Sequence, residues 1–179
     1  MDNSLSTLQK KTAYRILIVI DTAAIKSNYF NQDIDLEEPI KIEQANWFAI
    51  SQKKYPKAIN TLHTASVDSK RNDKIIISGI SIDGDSSDAI ILNRILIKKK
   101  DIDFEAVCLT KKTVSNNENS ENGLPAINTE QNVIWFESIV SHPGKYKIII
   151  YFSLYYLNSD GNQQDLYGRF WFPLEINIL

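Results

Sequence analysis

The chain has 179 residues, a hydrophobic fraction of 43%, a charged fraction of 23% and a formal net charge of −2. A chain of this size and composition can bury a core without metals or disulfides. A net charge so close to zero creates no field that would attract nucleic acid or an anionic membrane. Cys108 is the only cysteine, which excludes an intrachain disulfide. We therefore predict a soluble globular domain without nucleic-acid or membrane partners.

The N-terminal segment lacks the features of an export signal. Residues 1–12 are polar, and we expect them to be flexible. The best apolar run nearby, residues 16–20, ends at Asp21 and is too short for a signal peptide or a membrane span. We expect residues 13–179 to form one domain in the cytoplasm.

Strand-like segments begin directly after this N-terminus. Residues 14–20 form a continuous apolar run, which is typical of a strand buried on both faces. Residues 26–52 are irregular and indicate mostly loop followed by a short strand. Residues 74–82 are rich in β-branched side chains and contain Gly79, which predicts a bulge or a close backbone approach within a strand.

Two more strands are predicted after a turn at residues 83–88. Residues 89–98 fit a helix or a strand by periodicity alone, but their four isoleucines and flanking turns favour a strand. Residues 101–110 alternate between polar and apolar side chains. The side chains predicted to share the apolar face of that strand are Ile102, Phe104, Ala106 and Cys108.

The segment at 111–132 is rich in Asn, Ser and Glu. Such a composition cannot repay the entropy of ordering, so it predicts one long mobile loop. Residues 133–139 predict a further strand, and His142, Pro143 and Gly144 predict a turn.

The last 35 residues have the pattern of a β-hairpin. Two aromatic and β-branched runs flank Asp160 and Gly161, a pair that suits the positive φ angles of a type I′ turn. With these two residues at the centre of the turn, Tyr155 faces Leu166, Tyr151 faces Phe170 and Ser153 faces Gly168. Both faces of the first strand are then apolar and need a second layer. The chain therefore predicts an all-β fold, a β-sandwich of two mostly antiparallel sheets with a closing C-terminal hairpin.

Three stretches carry a family resemblance: ILIVIDTAAIKSNY at 16–29, GISIDGDSSDAIILNRI at 79–95 and FSLYYLNSDGNQQDLYGRFWFPLEINI at 152–178. In this order and spacing they resemble the bacterial PixA/AidA inclusion-body protein family. The resemblance spans nearly the whole chain. It implies a cytoplasmic β-rich domain without established enzymatic activity, and some members accumulate as crystalline inclusions under cell-density control.

The chain departs from this family pattern at two points. Members often carry Trp-Asp-Pro near the C-terminus, whereas Trp171 is followed here by Phe172 and Pro173. Any polar role of that aspartate is absent. The founding member is rich in methionine, but this chain contains a single Met, which argues against sulfur storage.

The sharpest candidate for a metal site is the cluster of Asp83, Asp85 and Asp88. Three carboxylates within six residues could supply oxygen ligands to Ca²⁺. Their spacing is not that of an EF-hand, and Asp and Gly are also common in ordinary turns. We favour the turn and predict no other cofactor.

The remaining polar candidates have structural interpretations. Asp21 follows a buried strand, but no glycine-rich phosphate loop accompanies it, so a capping or turn role is favoured. His63 and His142 lack the spacing of a zinc site and are predicted to be solvated. No GxSxG motif marks a nucleophile, and Cys108 is predicted to act as a small hydrophobic residue.

Aromatic side chains provide the best candidate surface. Trp47, Trp135 and Trp171 could stack on sugar rings, although most of the aromatic residues are expected in the core. The predicted hairpin register forms a mixed aromatic and polar face. The residues predicted to bind another subunit or a ligand are Phe152, Tyr156, Tyr167, Arg169 and Trp171.

These observations favour a non-enzymatic protein that self-associates through the edge strand at 89–98 or the aromatic hairpin. The alternative is a carbohydrate-binding module, with Ca²⁺ at residues 83–88. An enzyme ranks third, because no catalytic motif is present.

Overall fold

The computed structural model describes residues 12–29, 38–51, 63–97, 102–158 and 160–179. The predicted flexible N-terminus lies outside these ranges except for Thr12, whose backbone N–H donates to Asp73 Oδ1 at 3.0 Å. In chain order the elements are β1 Ala13–Ile20, α1 Thr22–Asn28, β2 Ile40–Lys41, a 3₁₀ turn Gln44–Asn46, β3 Trp47–Ser51, β4 Thr64–Val67, β5 Lys74–Ser81, β6 Asp88–Ile97, β7 Glu105–Ser115, β8 Ile127–Ile139, β9 Gly144–Leu157 and β10 Gln164–Ile178.

The strands form two sheets. The first has the order β3-β1-β5-β8-β7, and the second has the order β2-β10-β9-β6, with β4 also paired to β10. The β1–β5, β10–β2 and β10–β4 pairs are parallel, and the other pairs are antiparallel. This arrangement confirms the predicted all-β sandwich.

The core lies between the two sheets and follows the two-residue period of strands. The first sheet contributes Ile16, Ile18, Ile20, Ile75 and Ile77, and the second contributes Ile148, Ile150, Phe152, Phe170 and Phe172. All ten side chains are fully buried. Burial of each such side chain contributes roughly 1.5–3 kcal/mol to folding, so the hydrophobic alternation of these strands accounts for the pairing of the sheets.

The predicted structural roles of Asp21 and Gly79 are confirmed. Asp21 is the N-cap of α1, and its Oδ1 accepts a hydrogen bond of 2.9 Å from the backbone N–H of Ala24. A Cβ at Gly79 would lie 2.6 Å from Ile90 Cδ1, so the backbone approaches the second sheet closely there. No helix in the described part of the chain is long and apolar enough to cross a membrane.

The prediction of one long loop at 111–132 is wrong at both ends, because strands occupy them. β7 continues to Ser115 and β8 starts at Ile127, with pairs running from Lys111–Gln131 to Ser115–Ile127. Only residues 116–126 connect the strands. A two-stranded ribbon exposes both faces, so a polar composition is compatible with strands here.

The apolar face predicted for residues 101–110 exists only at its start. Ile102 and Phe104 are buried, but they precede β7. Ala106 and Cys108 lie within β7 and are exposed, because β7 is the edge strand of the first sheet and pairs on one side only. The interpretation of Cys108 as a buried hydrophobic residue is therefore wrong.

The register predicted for the C-terminal hairpin agrees with the structure at one pair and differs from it beyond that pair. Tyr155 faces Leu166 as predicted, but the register shifts between Leu166 and Gly168. Tyr151 therefore faces Trp171 instead of Phe170, and Gly168 faces Leu154 instead of Ser153. The connection is also longer than a two-residue turn, because the strand pair nearest to it is Leu157 with Gln164.

Candidate functional site

An aromatic row crosses the outer face of the second sheet. Phe152 and Phe170 point into the core, so their neighbours Tyr151 and Trp171 point outward by the alternation of a strand. Trp171 pairs with Lys41 of β2 and with Tyr151 of β9, which pairs in turn with Arg94 of β6. The pairing thus aligns a cation, two aromatic rings and a second cation across four strands.

The two rings of this row are in contact with each other and with a cation. The centroids of Tyr151 and Trp171 are 6.4 Å apart at an interplanar angle of 33°. Lys41 Nζ lies 5.7 Å from the centroid of the Trp171 ring, within the range of a cation–π interaction. Both residues are half-buried, so part of each remains exposed to solvent.

Further apolar and cationic side chains surround the row. Arg169 lies opposite Ser153, and Ile91 lies on the other side of that serine. Ile91 is 43% exposed. The structure shows no ion pair between Lys41, Arg94 or Arg169 and any described residue. We call the surface formed by Lys41, Ile91, Arg94, Tyr151, Arg169, Trp171 and Pro173 the outer face.

The structure divides the five side chains predicted as an interaction surface. Trp171 and Arg169 lie on the outer face, whereas Phe152 is fully buried in the core. The assignment of Phe152 to a surface is wrong, because the bulge at Tyr167 displaces the register by one residue and exchanges the two faces. Tyr151, which belongs to the row, was missed for the same reason.

Tyr156 and Tyr167 lie together, apart from the outer face. Their rings form an edge-to-face pair with centroids 6.3 Å apart. The Tyr167 hydroxyl donates to the backbone oxygen of Lys26 at 3.1 Å, and burial raises the pKa of this hydroxyl above its ordinary value. This pair therefore fixes α1 against the end of the second sheet.

The β7–β8 ribbon forms a second exposed surface. β5 pairs with β8 only at Phe136–Ile139, so residues 107–115 and 127–135 continue as two strands alone. We call residues 107–135 the arm. Val114 is 76% exposed and Leu124 is 61% exposed, and both lie near its tip. These are large exposed fractions for apolar side chains.

The three aspartates of residues 83–88, which we call the acidic loop, have separate partners. Asp83 accepts hydrogen bonds from the hydroxyl groups of Ser81, Ser86 and Ser87 and from backbone N–H groups. These bonds, chiefly the one from Ser81, hold the pKa of the Asp83 carboxyl well below its ordinary value of 3.8. Asp83 thus closes the turn between β5 and β6.

The other two carboxylates point to different partners. Asp85 Oδ1 accepts from the backbone N–H groups of Ser81 and Ile90. Asp88 forms an ion pair with Lys26, with 2.6 Å between Nζ and Oδ2. Nowhere among the described residues do three His, Cys, Asp or Glu side chains cluster as a metal site. The hydrogen bonds of the three carboxylates agree with the turn, which the sequence favoured over a Ca²⁺ site.

The two histidines have different surroundings. His142 is exposed, as predicted. His63 is half-buried and packs edge-on to Trp47 with ring centroids 4.7 Å apart, so the prediction of a solvated side chain is wrong. Trp47 also stacks on Phe172 at 4.2 Å and belongs to the core. A sugar-stacking role is therefore not open to Trp47.

Comparison with known proteins gives two findings. A family model described as PixA, inclusion body protein, matches residues 12–178. The fold is similar to the crystal structure of the PixA inclusion body protein from Burkholderia cenocepacia J2315, with a TM-score of 0.70, 22% sequence identity, and coverage of 96% of this chain and 99% of that chain. At this identity the likeness shows the fold alone. The search of curated proteins found no match.

Proposed function

Because the chain belongs to the PixA family of inclusion body proteins, we propose that it is a non-enzymatic protein that self-associates in the cytoplasm and accumulates as inclusions. The observation that carries the proposal is the outer face. Trp, Tyr and Arg are the side chains that contribute most at protein interfaces, and Trp171, Tyr151, Arg94 and Arg169 lie together there. Burial of such a face between subunits would remove its apolar surface from water.

The aspartates considered as candidate functional residues all have structural partners, which supports a non-enzymatic role. Asp21 caps a helix, Asp83 closes a turn and Asp88 pairs with Lys26. Groups that hold the backbone in place are not poised to transfer protons or to attack a substrate. We further propose, from the family resemblance, that this accumulation is under cell-density control.

Electron microscopy of bacterial cells that produce the chain tests the proposal. We expect dense cytoplasmic inclusions in cells with the unaltered chain, and dispersed protein with the double substitution Tyr151→Ala and Trp171→Ala. The matched control is Ile50→Ala with Ile139→Ala, which removes exposed apolar side chains from the first sheet and should leave the inclusions intact. Dispersed protein with the unaltered chain at high production would contradict the proposal.

A further inference from the structure

The arm extends from the sandwich without support from a third strand. It begins where β8 leaves β5, and its nine paired positions extend about 30 Å at roughly 3.3 Å per residue. A two-stranded hairpin alone is only marginally stable in water, and a third strand or packing against another element is normally needed. An arm of this length therefore gains stability when another surface covers one of its faces.

The tip of the arm is acidic and apolar. Residues 113–127 contain Glu118 and Glu121 and no Lys or Arg. Both glutamates are exposed, and they stand close in sequence to the exposed Val114 and Leu124. A matching partner would offer cations beside apolar side chains.

The outer face has the complementary character. Lys41, Arg94 and Arg169 supply positive charge between Trp171, Tyr151 and Ile91. The arm of the same chain extends from the first sheet, whereas the outer face lies on the far side of the second sheet, with the core between them. Contact between tip and outer face therefore requires two copies.

We propose that the tip of the arm of one copy binds the outer face of a second copy. This inference rests on the proposed self-association and specifies the two surfaces that produce it. The contact joins two different surfaces, so an open assembly keeps a free arm at one end and a free outer face at the other. Such head-to-tail contacts extend indefinitely unless a ring closes, which is how one small domain can build an inclusion.

A mixing experiment with two half-disabled chains tests this geometry. In the arm variant, residues 113–129 are replaced by Asn-Gly, a pair suited to a two-residue hairpin turn, and the outer face is intact. In the face variant, Arg94→Glu and Arg169→Glu reverse the charge of the outer face, and the arm is intact. Circular dichroism and thermal unfolding establish that each variant is folded.

Sedimentation velocity then separates the possible contacts. We expect each variant alone to remain monomeric, and an equimolar mixture to form a complex of one arm variant with one face variant and nothing larger. The mixture stops at two copies because only one arm and one outer face are functional. The matched control, Lys70→Glu with Arg71→Glu, makes the same charge change at an exposed turn and should assemble like the unaltered chain.

Charge exchange within one chain is a second test that needs no deletion. Glu118→Lys with Glu121→Lys should weaken assembly about tenfold or more, and adding Arg94→Glu and Arg169→Glu to that chain should restore it. If the unaltered chain assembles while either half-disabled variant alone assembles equally well, the inference is wrong and the proposed function stands. If the unaltered chain remains monomeric, both are wrong.

Discussion

Gly79 shows how a single residue adjusts the distance between the two sheets. A glycine inside a β-branched strand predicted a bulge or a close approach, and the structure contains the close approach. A Cβ built at this position would lie 2.6 Å from Ile90 Cδ1 and 2.9 Å from Leu92 Cδ2. Both neighbours are buried side chains of the second sheet, so they have little room to move.

We expect Gly79→Ala to lower the free energy of unfolding by about 1–3 kcal/mol, because the added methyl group overpacks the core. Urea denaturation measures this change. Ser78→Ala, one position away on the same strand, is the control and should change stability much less. Combining Gly79→Ala with Ile90→Val removes the nearest methyl group and should recover part of the loss; an unchanged loss would show that crowding by Ile90 is not the cause.

In the acidic loop, residue types predict the position of the turn but not the hydrogen-bond partners of its carboxylates. Asp and Gly predicted a turn at 83–88, which the structure contains. The loop also contains two residues with positive φ angles, Gly84 at +77° and Asp85 at +57°. Asp83 accepts hydrogen bonds from Ser81 and from the backbone of this loop, and composition alone does not indicate these partners.

At the scale of elements, α1 connects the two halves of the sandwich. It follows β1 of the first sheet, and its Lys26 pairs with Asp88 at the start of β6 in the second sheet. The backbone oxygen of Lys26 also accepts the hydroxyl of Tyr167 from β10. A helix of seven residues has little stability alone, so its cap and these contacts hold it in place.

We expect Asp21→Ala to lower the free energy of unfolding by about 0.5–2 kcal/mol, because the backbone N–H of Ala24 loses its acceptor. Thermal unfolding followed by circular dichroism measures the loss. Asp21→Asn retains a capping oxygen and should stay close to the unaltered chain. Equal losses in the two variants would instead assign the effect to the charge of Asp21.

The hairpin and the arm mark the limit of prediction from sequence at this scale. Residue types identified the strands of the hairpin and the fold class, but the bulge at Tyr167 reversed the faces that the predicted register had assigned. A shift of one residue exchanges every side chain between core and surface. The arm was missed because its side chains are not buried, and hydrophobic periodicity is the main sequence signal for a strand.

At the scale of the whole molecule, the net charge is only −2, but positive and negative side chains are concentrated on different surfaces. The tip of the arm contains two glutamates without a cation, and the outer face contains three cations without an ion pair to a described residue. Complementary surfaces of this kind mainly set specificity and the rate of association. We therefore expect assembly to weaken as ionic strength rises, because the attraction between exposed charges is screened.

Sedimentation velocity of the purified, unaltered chain over a range of micromolar concentrations tests the claim of self-association most directly. The account predicts a distribution that shifts to larger species with rising concentration at low salt, and back toward the 20.5 kDa monomer at high salt. A single species with the monomer mass at every concentration and salt would contradict it.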